Sequence, residues 1–215
     1  MTGTTDAGRH RADDDGPPHA EAVGALLRGE LVVMPTDTVY GLAADPFDKA
    51  AVDRLLTAKG RGREKPSGVL IGTWDQLDLV VAPLAPVARA LAEHFWPGAL
   101  SLVVPQAEDL GWDLGETGGT VMVRMPADPV ARELLTLAGP LAVSSANLHG
   151  EPAATTAEEA RRQLGTRAAV YVDSGPAAIG TPSTIVRCVG DSYEVLRLGA
   201  VTVEEIAAVV RDLRT

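Results

Sequence analysis

The chain of 215 residues has one cysteine, Cys188, so no intrachain disulfide can form. That suits a reducing compartment and leads to the expectation of a cytoplasmic protein. Cys188 lies in the apolar run 185–189, where a thiol reads as a packed strand residue and not as a nucleophile. Aromatic residues make up only 4% of the chain, so Ala, Val and Leu must fill most of the core. No apolar run reaches about 18 residues, the length a membrane-spanning helix needs, so no membrane partner is expected. The N-terminus has no apolar signal core either. Lysine is scarce, with only Lys49, Lys59 and Lys65 present, and arginine supplies nearly all the positive charge. The formal net charge is −10. A chain with that balance is a poor general binder of nucleic acid, whose affinity comes largely from basic contacts to phosphate.

Several chemical signatures are also missing. There is no Gly-x-x-x-x-Gly-Lys phosphate loop, no Gly-x-Gly-x-x-Gly fingerprint and no Gly-x-Ser-x-Gly elbow. His10, His19, His94 and His149 are scattered, so no zinc spacing arises and no metal ligand is nominated. No Ser/His/Asp or Cys/His arrangement stands out.

What is present is an alternation of helical and strand patterns. Residues 1–18 hold little that can be buried and read as a loosely attached tail, leaving 19–215 as the folded domain. Ala22, Leu26 and Leu27 have helical spacing, and 30–34 is a short apolar strand ending at Pro35. Asp48 can cap a helix whose apolar face is Val52, Leu55 and Leu56. Val87, Leu91 and Phe95 mark another helix, and Asp128-Pro129 starts a third. Strands are predicted at 69–71, 100–104, 121–124, 141–144, 169–172, 184–189 and 194–198. Thr156 to Glu159 and Thr202 to Glu205 both have the spacing of capping boxes. Alternation of this kind predicts an α/β domain.

Five polar clusters fall at predicted strand ends, where α/β proteins place ligands. The first is Pro35-Thr36-Asp37-Thr38-Val39-Tyr40-Gly41-Leu42. As a plain structural feature it is a polar turn with Tyr40 packed on the sheet. The second, Lys59-Gly60-Arg61-Gly62-Arg63-Glu64-Lys65-Pro66, concentrates positive charge in an acidic chain and suits an anion. The third is 118–124, whose strand aims Arg124 and would suit a carboxylate. The fourth, Ser144-Ser145-Ala146-Asn147, offers hydroxyls and an amide. The fifth is 180–184, with Arg197 at the end of the following strand.

The Pro-Thr-Asp-Thr-Val-Tyr-Gly-Leu element, Lys59-x-Arg61 and Ser145-x-Asn147, in that order and spacing, resemble the YrdC/Sua5 family of threonylcarbamoyl-AMP synthases over about residues 20–212. The resemblance implies a twisted, mixed sheet flanked by helices around a concave cleft. It implies a nucleotidyltransferase that condenses L-threonine, bicarbonate and ATP to L-threonylcarbamoyladenylate and pyrophosphate. A downstream transferase complex would carry the group to adenosine 37 of certain tRNAs, so tRNA would be an indirect partner. By position, Thr36, Tyr40, Arg124, Ser145 and Ser183 would serve threonine. Lys59, Arg61, Lys65, Thr120, Asn147, Thr155 and Arg197 would serve ATP, with Lys59, Arg61, Ser145 and Asn147 closest to the chemistry. Magnesium would accompany ATP through its phosphates and water, and no organic cofactor is implied.

The sequence departs from the family pattern at Gly62, where proline is frequent, at Leu70, where some relatives carry a threonine-binding histidine, and at His149 and Leu198. Longer members continue into a second domain, so a single-domain form is expected. Two other readings belong to the same residues: a related domain that adenylates carbamoyl groups from carbamoyl phosphate, and an RNA-binding concave surface.

Overall fold

The computed structural model describes residues 19–213; the expected tail at 1–18 lies outside them. The elements run α1 (Ala20–Leu27), β1 (Val32–Met34), β2 (Gly41–Ala44), α2 (Lys49–Lys59), β3 (Gly68–Leu70), α3 (Trp74–Val80), α4 (Pro86–Phe95), β4 (Leu100–Pro105) and β5 (Thr120–Arg124). They continue through α5 (Pro129–Ala138), β6 (Leu141–Ser145), α6 (Ala157–Leu164), β7 (Val170–Tyr171), β8 (Thr184–Val189), β9 (Ser192–Arg197) and α7 (Val203–Asp212). The strands form one mixed sheet in the order β7-β1-β2-β6-β3-β5-β4-β8-β9. The α/β reading and the mixed sheet flanked by helices are therefore what the chain adopts.

Local signals explain most boundaries. The Asp48 carboxylate accepts from the N–H groups of Ala50 and Ala51 and starts α2, while Gly60 ends it in the left-handed conformation that glycine tolerates. Asp128 accepts from Ala131 N–H ahead of Pro129 at the start of α5. Thr202 and Glu205 form the full reciprocal capping box of α7. At α6 only half of the expected box is of that kind: Thr156 accepts from Glu159 N–H, but the Glu159 carboxylate accepts from the N–H and hydroxyl of Thr155. Two elements carry no sequence signal strong enough to predict. β2 reads Gly-Leu-Ala-Ala, with no β-branched residue, and α3 has only seven residues.

The sheet packs differently on its two faces, and strand alternation decides which residue goes where. On one face Val33, Leu42, Ala44, Val69, Leu100, Leu102, Val121, Val123, Ala142 and Val186 join a large core with residues of α2, α3, α4, α6 and α7. On the other face Val32, Met34, Ala43, Leu70, Leu141 and Val170 form a smaller core with α1 and α5. That second cover reaches only β7, β1, β2, β6 and β3; no residue of β4, β5, β8 or β9 takes part in it. The uncovered part of this face is where a cleft opens. Cys188 is buried in the large core, and burial pushes its thiol up to about 11, as befits a packed and unreactive residue.

Candidate ligand cleft

The cleft holds an inner space of about 140 Å³ and is open to solvent along its mouth. Its floor runs from the uncovered strands β4 and β5 onto neighbouring parts of β3, β6 and β2. Alternation puts Ser101 between core residues Leu100 and Leu102, and Met122 and Arg124 out of phase with Val121 and Val123. Gly41, Gly68, Leu70, Val143 and Ser145 complete the floor across β2, β6 and β3. Gly41 allows β2 to lie close to β6, since a Cβ there would meet Val143 Cγ1 at 2.6 Å. Leu70 pairs with Arg124 in the β3–β5 register, so the family's histidine position is an apolar wall here.

Five predicted positions gather at one end. Pro35 cannot extend β1 by a main-chain N–H, and the chain turns into a tight Thr-rich loop. The Thr36 hydroxyl donates to Val39 O at 2.7 Å and accepts from the N–H groups of Thr38 and Val39. Arg124, 4% exposed, donates through Nη1 to Thr38 Oγ1 at 2.8 Å and through Nη2 to Asp37 Oδ1 at 3.1 Å. Ser183 Oγ lies 2.8 Å from Ser101 Oγ, and Arg197 Nη2 donates to Ser183 O at 2.7 Å. Tyr40 also borders the cleft, but its ring is fully buried and its hydroxyl donates to Gly175 O at 2.6 Å and accepts from Ser174 N–H. It braces the loop after β7.

At the other end Arg61 Nη1 donates to Ser144 Oγ at 3.1 Å, beside Ser145 on the floor. Lys59 does not line the cleft. Its ammonium is buried behind the strand-end loop and donates to Ser145 O, Asn147 O and Asn147 Oδ1, the last at 2.9 Å. Asn147 is buried too, and its amide nitrogen donates to Leu148 O and Glu151 O. Lys65, Thr120 and Thr155 stand away from the lining: Lys65 is exposed, the Thr120 hydroxyl donates to Thr117 O, and the Thr155 hydroxyl donates to Glu159. Ser101, Asp37 and Thr38 are site residues that carried no individual role in the sequence reading, and Ser144 figured only as part of the 144–147 cluster.

The electrostatics follow from burial. Desolvation pushes Lys59, Arg61, Arg124 and Arg197 below their ordinary values, and repulsion adds to it at Lys59, Arg124 and Arg197. Lys59 and Arg197 each feel Arg61, and Arg124 feels Arg197. Asp37 opposes the shift at Arg124. A chain of net charge −10 has thus collected four cations around one cleft, an arrangement that favours anionic ligands.

Two expectations arise here. Lys59 is lowered to about 7 by burial and by Arg61. Its folded value lies below its unfolded one, so the unfolded chain holds the proton more tightly between about 7 and the ordinary 10.5. Stability from this site therefore rises with pH across that window and is lost as pH falls through about 7. With three lysines in the chain, carbon-13 NMR of the lysine Cε groups should show one resonance titrating near 7 and absent from Lys59→Met; no resonance titrating in that range would refute it. Separately, a Cβ at Gly199 would lie 2.1 Å from Pro182 O and 2.6 Å from Ser183 O. Main chain cannot move aside cheaply, so Gly199→Ala should destabilise the protein by about 1–3 kcal/mol, read as a lowered Tm in thermal unfolding.

The fold and the cleft together define an α/β domain with an exposed sheet face lined by arginines and hydroxyls, suited to small anionic ligands. More specifically, the chain belongs to the Sua5/YciO/YrdC family: the family profile, described as "Telomere recombination", matches residues 24–199. A protein of Mycobacterium tuberculosis strain H37Rv is 57% identical over 189 residues, 88% of this chain and 87% of the relative. The threonylcarbamoyl-AMP synthase of Bacillus subtilis is 41% identical over 90% of this chain and 57% of its own length. Among solved structures, Pyrococcus abyssi Sua5 complexed with L-threonine superposes with a TM-score of 0.84 at 36% identity, covering 88% of this chain. The chain spans just over half of that protein, 56%.

Proposed function

We propose that the protein is an L-threonylcarbamoyladenylate synthase, a nucleotidyltransferase that condenses L-threonine, bicarbonate and ATP and releases pyrophosphate. Its product would feed a threonylcarbamoyl transferase complex acting on adenosine 37 of tRNA in the cytoplasm. The observation that carries this reading is the run of cations along one cleft, Arg124, Arg197 and Arg61 with Lys59 behind it, beside hydroxyl-bearing strand residues. Such a cleft suits two anionic substrates held side by side.

The threonine amine adds to carbon dioxide derived from bicarbonate and gives a carbamate. A carbamate oxygen attacks the α-phosphorus of ATP, the bond to the β-phosphate oxygen breaks, and pyrophosphate leaves. No protein nucleophile takes part. The work is positioning, which can contribute about 7–11 kcal/mol, and stabilising charge at phosphorus. Arg124 takes the threonine carboxylate, with Thr36, Ser145 and Ser183 around the rest of the amino acid and Tyr40 bracing the loop beside it. Arg61 and Arg197 take phosphate oxygens. Lys59 and Asn147 hold the Ser145 loop in place, and Lys65, Thr120 and Thr155, away from the lining, would meet only the outer parts of a bound nucleotide. Among the described residues no three His, Cys, Asp or Glu side chains gather to hold a metal. Magnesium would arrive on ATP and neutralise phosphate charge there.

Purified protein given ATP, magnesium, bicarbonate and labelled threonine should yield labelled threonylcarbamoyladenylate by mass spectrometry, with none when threonine or bicarbonate is omitted. Product from carbamoyl phosphate without threonine would replace this reading with the carbamoyl-adenylating one. Salt-dependent RNA binding without ATP turnover would replace it with a binding role.

A further inference from the structure

We infer that Asp37 is a positioning residue for substrate selection: it sets the Arg124 guanidinium in the orientation that accepts the carboxylate of the amino-acid substrate. The inference rests on the function proposed above. Asp37 and Thr38, adjacent in the turn after β1, grip the two terminal nitrogens of one arginine from β5. Both charged side chains are almost wholly buried, at 5% and 6% exposure. The Asp37 carboxylate does not float, because Oδ1 also accepts from Ala127 N–H at 3.0 Å. Its main-chain carbonyl accepts from Ile179 N–H at 2.8 Å. The carboxylate is therefore tied to the loop after β5 and the turn to the loop before β8. A guanidinium has five N–H donors in a fixed plane. With one donor from each terminal nitrogen committed to the turn, the plane is set and the remaining donors serve the cleft that Arg124 lines.

A second observation separates this from an ordinary buried ion pair. Asp37 Oδ2 is buried with no hydrogen-bond partner. A pair built for stability alone would satisfy both carboxylate oxygens, since a dry acceptor is a penalty. Here Oδ1 is shared between Ala127 and Arg124, and the carboxylate stays at the angle that aims the arginine. Asp37 also opposes the repulsion that Arg197 exerts on Arg124, so two like charges can stand near each other before any anion enters.

The test compares L-threonine with L-threoninamide, which lacks the carboxylate. Binding of each is measured by titration calorimetry in the wild type, Asp37→Asn, Asp37→Ala, Arg124→Ala and the Asp37→Asn/Arg124→Ala double variant, with ATP affinity alongside. The wild type should prefer threonine. Both Asp37 variants should lose about tenfold or more of that preference while ATP affinity stays within about twofold. In the Arg124→Ala background, Asp37→Asn should change nothing further, because a residue that acts through another shows full coupling. Asp37→Asn keeps the oxygen that Ala127 uses, so it decides the matter if Asp37→Ala does not fold. An unchanged preference, an equal loss for both ligands, or additive losses in the double variant would overturn the inference. If Arg124→Ala loses the preference and the Asp37 variants keep it, the inference falls alone. A wild type that binds no threonine would overturn the proposed function as well.

Discussion

Lys59→Met is expected to slow adenylate formation by about a hundredfold or more while leaving a folded protein, because the lysine holds the loop that carries Ser145 and Asn147. Its ammonium satisfies two main-chain carbonyls and the Asn147 side chain at once. Methionine has nearly the same length and fills the space without supplying a donor. Two carbonyls then lack a partner, at about 1–3 kcal/mol each, but the desolvation of a buried cation also disappears. Stability should therefore change little and the rate a great deal. Ser145 Oγ donates to Asn147 Oδ1 at 2.5 Å, so a loosened Asn147 displaces a hydroxyl on the cleft floor. Misplacing a reacting group by about 1 Å is enough for a hundredfold loss. The measurement is kcat from pyrophosphate release, paired with Tm. A variant with normal kcat would end the loop-holding role, and one with lost kcat and a Tm lowered in proportion would reduce it to a folding effect.

Arg124→Met should be the most damaging change for threonine, with KM raised about a hundredfold and kcat for ATP-dependent product equally hard to reach. A buried charge loses its partner, which ordinarily costs about 3–5 kcal/mol, and here Asp37 would be left with one oxygen already unsatisfied. Asp37→Asn in the same chain should recover much of the stability and none of the threonine use. Thermal unfolding and steady-state kinetics on the single and double variants separate the two effects. A normal threonine KM in Arg124→Met would remove the carboxylate clamp.

Much of this was legible in the residues. The helix caps at Asp48, Asp128 and Thr202 and the strands around 100–104, 121–124 and 184–189 are written in local patterns that tertiary contacts did not override. The family motif located both ends of the cleft. The role of Lys59 was not legible. Its place in a basic stretch suggests a phosphate contact, whereas the helix end at Gly60 turns it under the 145–147 loop, a contact between residues far apart in sequence. Ser101 did leave a trace, as the one polar residue between Leu100 and Leu102. Read with a period of two, it marks the sheet face that no helix covers. Asp37 sits inside the quoted motif, but only Arg124's approach from β5 gives it a partner. β2 was missed because its strand character comes from pairing with β1 and β6 and not from its side chains.

The order of strands in the sheet also governs when the cleft comes into being. Gly41 pairs with Ser145, and Leu100 pairs with Thr184 in a parallel register; both contacts close long stretches of chain, the slow kind of step in folding. During synthesis from the N-terminus, the residues around Thr36, Arg61 and Arg124 are made well before Ser183 and Arg197 exist. A chain that has emerged only as far as β7 has the floor residues, but an unpaired β4 edge and no counterpart to Ser101. Such a partial chain is open to wrong pairings along that edge. Ligand binding then arrives late and at once, when the β8–β9 hairpin docks, so truncation anywhere before Arg197 should give a protein that is inert as well as unstable.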